Sequence, residues 1–196
     1  MLNKIQERYF WIGINDDVKR YCKCCLECQT LKPQHSQPVA PLQPINCKRA
    51  FEMVSLDVCG PYPTSETGNC YILVTTDHFT KWVEAYAMAN QEATTIAFCF
   101  EHFINTFCYP DIIITDQGRN FESSLIKEMC VRLKIDKRTT SAYHPQCNGQ
   151  TERFNRTMNS ILAQYVAQNQ SDWDRRLPSV HFAYRTSIHY STGHYI

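Results

Sequence analysis

Downstream of Phe51 the apolar residues switch repeatedly between a two-residue period and one of three to four, and this alternation restricts the chain to an α/β fold. Met53–Cys59 alternates, with Val54, Leu56 and Val58 on one face and Ser55, Asp57 and Cys59 on the other. That is the period of a half-buried strand, and Gly60-Pro61 ends it. Residues 70–77 and 81–88 read as two further strands joined in a hairpin. Ile96, Phe100, Phe103, Ile104 and Phe107 mark an amphipathic helix with an aromatic core face. Asp111–Thr115 carries the continuous apolar run of a buried strand, and Leu125, Met129 and Leu133 mark a second helix. A polar strand, Lys137–Ala142, precedes a long helix from about Gln150 that buries Phe154, Met158, Ile161, Leu162 and Tyr165. A last helix covers Trp173–Tyr184. The order specifies a mixed sheet, antiparallel at first and parallel later.

Upstream, residues 1–31 read as mostly helical, with Ile5, Tyr9, Phe10, Val18 and Tyr21 as apolar anchors. Lys32–Pro44 carries four prolines and little that could pack, the composition of an extended linker. The chain of 196 residues has room for one well-packed core and a small appendage. No apolar run approaches the roughly 18 to 20 residues of a membrane span, and no apolar leader follows Met1. A net charge of +1 argues neither for nor against nucleic acid. It divides unevenly: residues 1–50 hold 8 basic and 4 acidic residues, and the remainder is slightly acidic, so a polyanion would need local basic patches or cations. Eleven cysteines without a secretory leader point to reduced thiols and a metal site rather than a disulfide framework.

Three carboxylates fall where such folds place active sites. Asp57 lies on the face of the first strand turned from the core, and Asp116 ends the buried strand ahead of Gln117-Gly118. Glu152 lies in the first turn of the long helix and shares a face with Asn155, Arg156 and Asn159, opposite the apolar set. Each acid alone is accounted for by a solvated strand end or a favourable charge at a helix N-terminus. Three together repel, and oxygen-ligated Mg²⁺ or Mn²⁺ relieves that repulsion. Two such ions activate a nucleophilic oxygen and stabilise the leaving oxygen of a phosphodiester.

The segments around these acids resemble the integrases of gypsy-type LTR retrotransposons and, more distantly, of retroviruses. Val54–Pro61 (VSLDVCGP), Ile114–Phe121 (ITDQGRNF) and Tyr143–Arg153 (YHPQCNGQTER) are similar to that family's three catalytic segments. Thirty-five residues separate Asp116 from Glu152, the D,D-35-E spacing. Asp77–Tyr86 (DHFTKWVEAY), Trp173 and Arg185-Thr186-Ser187 extend the similarity over nearly the whole chain. The resemblance implies an RNase H-like fold with a five-stranded mixed sheet. It implies two Mg²⁺ or Mn²⁺ ions on Asp57, Asp116 and Glu152, and cleavage near the 3′ end of element DNA followed by joining to target DNA. His144, Gln146, Asn148 and Gln150, with Arg153 and Arg156 on the helix, are the candidate DNA contacts, against a plain reading as turn chemistry and surface charge. DNA, a homo-oligomeric assembly, no membrane and a nuclear location complete what the resemblance implies.

Cys25 and Cys28 resemble the second half of the family's His-His-Cys-Cys zinc domain, but residues 1–8 contain no histidine, His35 follows the cysteines, and a tetrahedral Zn²⁺ site needs four ligands. Cys99 and Cys130, among helical residues, read as small core hydrophobes. The expected organisation is a partial zinc-binding-like domain over 1–31, a linker over 32–44 and a catalytic core over 45–196, cut at both ends of a longer polypeptide. The competing reading is a catalytically inactive or domesticated integrase-derived protein that binds nucleic acid or a partner. An RNase H-type nuclease fits the third segment and the cysteine pair less well.

Overall fold

A computed structural model describes residues 2–25, 47–140, 149–165 and 170–196, with only the backbone at 149, 150 and 165. The chain divides into two compact units, Met1–Ala40 and Pro41–Ile196; the Lys32–Pro44 stretch lies outside the described residues.

In the first unit α1 spans Leu2–Gln6 and α2 spans Ile14–Cys24. Only Ile14 and Val18 are buried. The expected anchors Tyr9, Phe10 and Tyr21 are instead 65%, 88% and 69% exposed, because helices of 5 and 11 residues have too little surface to enclose them.

The second unit is built on five strands: β1 Met53–Cys59, β2 Tyr71–Asp77, β3 Val83–Met88, β4 Ile112–Thr115 and β5 Asp136–Thr139. Helices α3 Ala93–Thr106 and α4 Ser124–Leu133 flank β4 in sequence, and α5 Gly149–Tyr165 and α6 Trp173–Arg185 follow β5. The sheet order is β3-β2-β1-β4-β5, with β1 antiparallel to β2 and parallel to β4. The antiparallel-then-parallel expectation therefore holds. The polar strand β5 takes an edge, where its charges keep the free side from pairing.

Both faces of the sheet are covered. Val54, Leu56, Leu73 and Ile113 pack with Ile96, Phe100 and Phe103 of α3 and Ile126 and Cys130 of α4. On the other face Ile72, Val74, Val83 and Ala85 pack with Phe154, Met158 and Leu162 of α5 and Trp173, Leu177 and Val180 of α6. The central strand β1 is consequently not half-buried as expected: Ser55, on the supposed outer face, is fully enclosed and bonds His78 Nε2 at 2.6 Å. Burial lowers the pKa of His78 to about 4, with Lys81 adding to the effect and Asp77 opposing it, so the ring is neutral near pH 7. On α4 the fully buried residues are Ile126 and Cys130, while Leu125 is 41% exposed. Cys99 and Cys130 are buried as expected, with free thiols.

The loop between β1 and β2 is fastened to the start of α6. Asp174 accepts hydrogen bonds from Ser65 Oγ at 2.6 Å, from Thr67 Oγ1, and from Asn69 Nδ2 at 2.9 Å. Trp173 Nε1 donates to the Pro63 carbonyl at 2.7 Å, and its ring lies 5.2 Å from that of Tyr62. Burial works against the ionised Asp174 carboxyl, yet the bonds from Ser65, Thr67, Asn69 and the Arg175 N–H outweigh it and hold the pKa down at about 2. A depressed carboxyl stabilises the fold above its ordinary value of 3.8, and that stability is lost as the pH falls towards 2. Urea unfolding midpoints should therefore drop between about pH 4 and 2, and Asp174→Asn should flatten that part of the profile. An unchanged acid limb in the variant would show that the carboxylate does not fasten this loop.

Candidate active site

β1 and β4 bring the first two acids together. In their parallel register Met53 lies opposite Ile112, Val54 opposite Ile113 and Ser55 opposite Ile114. Two further steps bring Asp57 level with Asp116, immediately beyond the C-terminal end of β4. Asp116 is exposed and its Oδ1 accepts the Gly118 N–H at 2.9 Å. A Cβ at position 118 would stand 2.8 Å from that oxygen and 3.1 Å from Asn120 Oδ1, so the turn that orients Asp116 needs glycine for close approach.

α5 supplies the rest. Its apolar stripe, Phe154, Met158 and Leu162, faces the sheet, which turns Glu152 and Arg156 outward as exposed groups and leaves Asn155 half-buried. Asn155 Nδ2 donates to Asp57 Oδ2 at 2.6 Å. One turn on, Asn159 Oδ1 accepts from the Tyr62 hydroxyl at 2.6 Å. Four helical residues rise about 6 Å, close to two strand residues, so the helix tracks β1 along its length.

Asp57 is half-buried, and its Oδ1 also accepts the Val58 N–H at 3.0 Å. Burial holds its pKa above the ordinary carboxylate value; the Asn155 bond pulls the other way, the charge of Asp116 pushes it up, the Val58 bond lowers it, and the charge of Glu152 raises it again. The charges of Asp116 and Glu152 thus both bear on Asp57, and no basic side chain among the described residues is among the groups that offset them there. Beside it, Asn155 Oδ1 is buried with no hydrogen-bond donor. This set of hard oxygen donors suits a divalent cation such as Mg²⁺ or Mn²⁺. As they stand, no group of three or more His, Cys, Asp or Glu side chains among the described residues converges on a single ion position. The acids are neighbours around a space and not a closed cage.

Of the expected DNA contacts, Arg153 and Arg156 are exposed on α5. Arg153 lines a cavity of about 160 Å³ with Thr157, Tyr184 and His189. His144, Gln146, Asn148 and the side chain of Gln150 lie outside the described residues, as does Cys28. Cys25 carries a free, half-buried thiol. The first unit offers no cluster of ligands for zinc among its described residues, and zinc has no part in the function proposed below.

Three residues of this site carry no chemistry visible in sequence. Asn155 was readable only as a polar member of the Glu152 face; its role as the partner of Asp57 depends on helix and strand lying alongside. Tyr62 and Gly118 belong to loops whose shape is set by contacts to α5 and to Asp116.

Comparison with known proteins matches this geometry to a family. The integrase core domain matches residues 48–145, and the integrase zinc binding domain matches residues 1–34. The retrovirus-related Pol polyprotein from transposon 412 of Drosophila melanogaster is 32% identical over 187 residues, and gypsy retrotransposon integrase-like protein 1 of Bos taurus is 27% identical over 187. Each comparison covers 95% of this chain, which spans 15% and 37% of the two relatives' lengths. Among solved structures, the catalytic core domain of BIV integrase superposes with a TM-score of 0.57 at 24% identity, covering 70% of this chain and 85% of that one. The HTLV-2 integrase catalytic core domain, solved in complex with magnesium, gives 0.58 at 18% identity, covering 73% and 91%. The fold shared with these cores is RNase H-like, and with half its length matched by the integrase core domain, the chain belongs to that family.

Proposed function

We propose that this chain is the catalytic part of a retrotransposon integrase, a polynucleotidyl transferase that trims the 3′ ends of element DNA and joins them to target DNA. The observation that carries the proposal is that Asp57 on β1 lies level with Asp116 just beyond the end of the adjacent β4, with the charge of Glu152 reaching Asp57. Asp57, Asp116 and Glu152 are the residues that would hold two Mg²⁺ or Mn²⁺ ions. When bound, such ions activate an attacking oxygen and offset charge on the leaving oxygen of a phosphodiester. Asn155 keeps the Asp57 carboxylate in one orientation, so the site is arranged before substrate arrives. Arg156, exposed beside Glu152, contacts a DNA phosphate, and His144, Gln146, Asn148 and Gln150 contact the DNA end. On this reading the protein works on DNA in the nucleus as a homo-oligomer. No helix among the described residues is long and apolar enough to cross a membrane.

The test is an assay of nicking and joining on duplexes that represent element ends. Products are expected with Mg²⁺ or Mn²⁺, none in EDTA, and recovery when the ion is restored. Absence of metal-dependent products from every duplex would put the non-catalytic, nucleic-acid-binding reading in its place.

A further inference from the structure

α5 is held to the sheet in two different ways. Phe154, Met158 and Leu162 bury apolar surface with Ile72 and Val74. Such burial is non-directional, so it fixes the distance of the helix from the sheet better than its position along the strands. Position is set by two polar ties one helical turn apart: Asn155 Nδ2 donates to Asp57 Oδ2 at 2.6 Å, and the Tyr62 hydroxyl donates to Asn159 Oδ1 at 2.6 Å. The first tie is a single bond, since Asn155 Oδ1 is buried without a donor among the described residues. One bond restrains a distance and leaves the helix free to pivot about it, so the second tie decides how α5 lies. Tyr62 is a firm post for that tie. Its N–H donates to the Cys70 carbonyl at 2.7 Å, its ring lies 5.2 Å from that of Trp173, and Trp173 Nε1 donates to the carbonyl of the next residue, Pro63, at 2.7 Å. Just before it the loop passes so close to the start of β2 that a Cβ on Gly60, at a φ of +129°, would stand 2.8 Å from the Cys70 carbonyl oxygen. Burial raises the pKa of Tyr62, so its hydroxyl stays protonated and remains a donor.

We propose that Tyr62 is a positioning residue for the acid trio: through Asn159 it fixes α5 along β1, so that the helix presents Asn155 to Asp57 and carries Glu152 at a set distance from it. The inference deepens the proposed function and rests on its reading of Asp57 and Glu152 as ligands of Mg²⁺ or Mn²⁺. The hydroxyl is the acting group. A ring that only filled space against Trp173 would serve equally well without it, and this separates a positioning role from a structural one.

Two readouts on the full chain, neither of them turnover, test it. The first is the side-chain amide of Asn155 in nitrogen-edited NMR. With its bond to the Asp57 carboxylate in place the resonance is displaced from that of a free amide, and Tyr62→Phe should move it towards the free value. The second is Mn²⁺ binding followed by electron paramagnetic resonance. Tyr62→Phe should raise the dissociation constant about tenfold, the low end of what losing a group behind a metal ligand costs. Asn159→Leu should do the same by both readouts, and the double variant should bind Mn²⁺ no more weakly than either single one, because both changes remove the same bond. Tyr62→Phe keeps its ring on Trp173 and Asn159 is exposed, so both variants should melt close to the parent; if Tyr62→Phe does not fold, Asn159→Leu decides alone. An Asn155 resonance that stays in place overturns the inference, and so does a Mn²⁺ affinity that is unchanged in the variants or falls additively in the double one. A parent that binds no Mn²⁺ counts against the proposed function, and the Asn155 resonance then decides the role of Tyr62 by itself. Mn²⁺ binding and joining that persist while that resonance stays unmoved in both variants remove Tyr62 and leave the proposed function standing.

Discussion

Replacing Asp116 by Asn is expected to lower DNA nicking and joining by about a thousand-fold or more while leaving the fold intact. Asn is nearly the same shape and its Oδ1 still accepts the Gly118 N–H, so the turn after β4 survives. Asp116 is exposed, and a substitution there should shift stability by no more than about 0.5 kcal/mol. What the change removes is one unit of negative charge from the acids that, on the proposed function, would hold the cations. Single-turnover joining rates with Mg²⁺ and thermal melting of the same preparation measure the two halves of this expectation. Joining within about tenfold of the parent enzyme would remove Asp116 from the proposed catalytic set.

The largest effect on stability is expected at Phe154. Its side chain is 1% exposed, sits among Ile72, Val74 and Trp173, and meets the Tyr184 ring edge-to-face at 4.8 Å. Phe154→Ala leaves a cavity between α5 and the sheet and should cost about 3 to 5 kcal/mol, against total stabilities of about 5 to 15. For a chain of this length that corresponds to a melting point lower by about 6 to 20 °C. The same truncation loosens the helix that carries Glu152 and Asn155, so activity should fall at temperatures where the variant is still folded. A denaturant midpoint unchanged within error would show that α5 is held by something other than this aromatic contact.

How far the sequence reached depends on whether a feature is local. The bounds of β1 came from strict alternation over seven residues and agree with Met53–Cys59; the aromatic stripe of α3 and the buried run of β4 were equally readable. The acids could be named because β1, β4 and α5 each carry one near a strand end or in a first helical turn. What escaped depends on segments far apart in the chain. The outer face of β1 looked solvated because α5, which covers it, begins 90 residues after that strand ends. Leu125 fits a helical stripe, but the packing of α4 on the sheet selects the neighbouring stripe of Ile126 and Cys130. Asn155 needed the docked helix before its amide could be assigned to Asp57. The exposed rings of the first unit mark the opposite failure, where apolar residues at good spacing find no partner surface.

The bonds that fasten the β1–β2 loop have a practical consequence. Most of the donors on Asp174 are neutral: two hydroxyls, a side-chain amide and a backbone N–H. Neutral donors have no net charge for counter-ions to screen, whereas contacts to nucleic-acid phosphates weaken steeply as ions are added. On the proposed function, high salt should therefore strip bound nucleic acid from this protein before it loosens the loop fastened to α6, which would make ionic strength a means of emptying the substrate face while the platform beneath it keeps its shape.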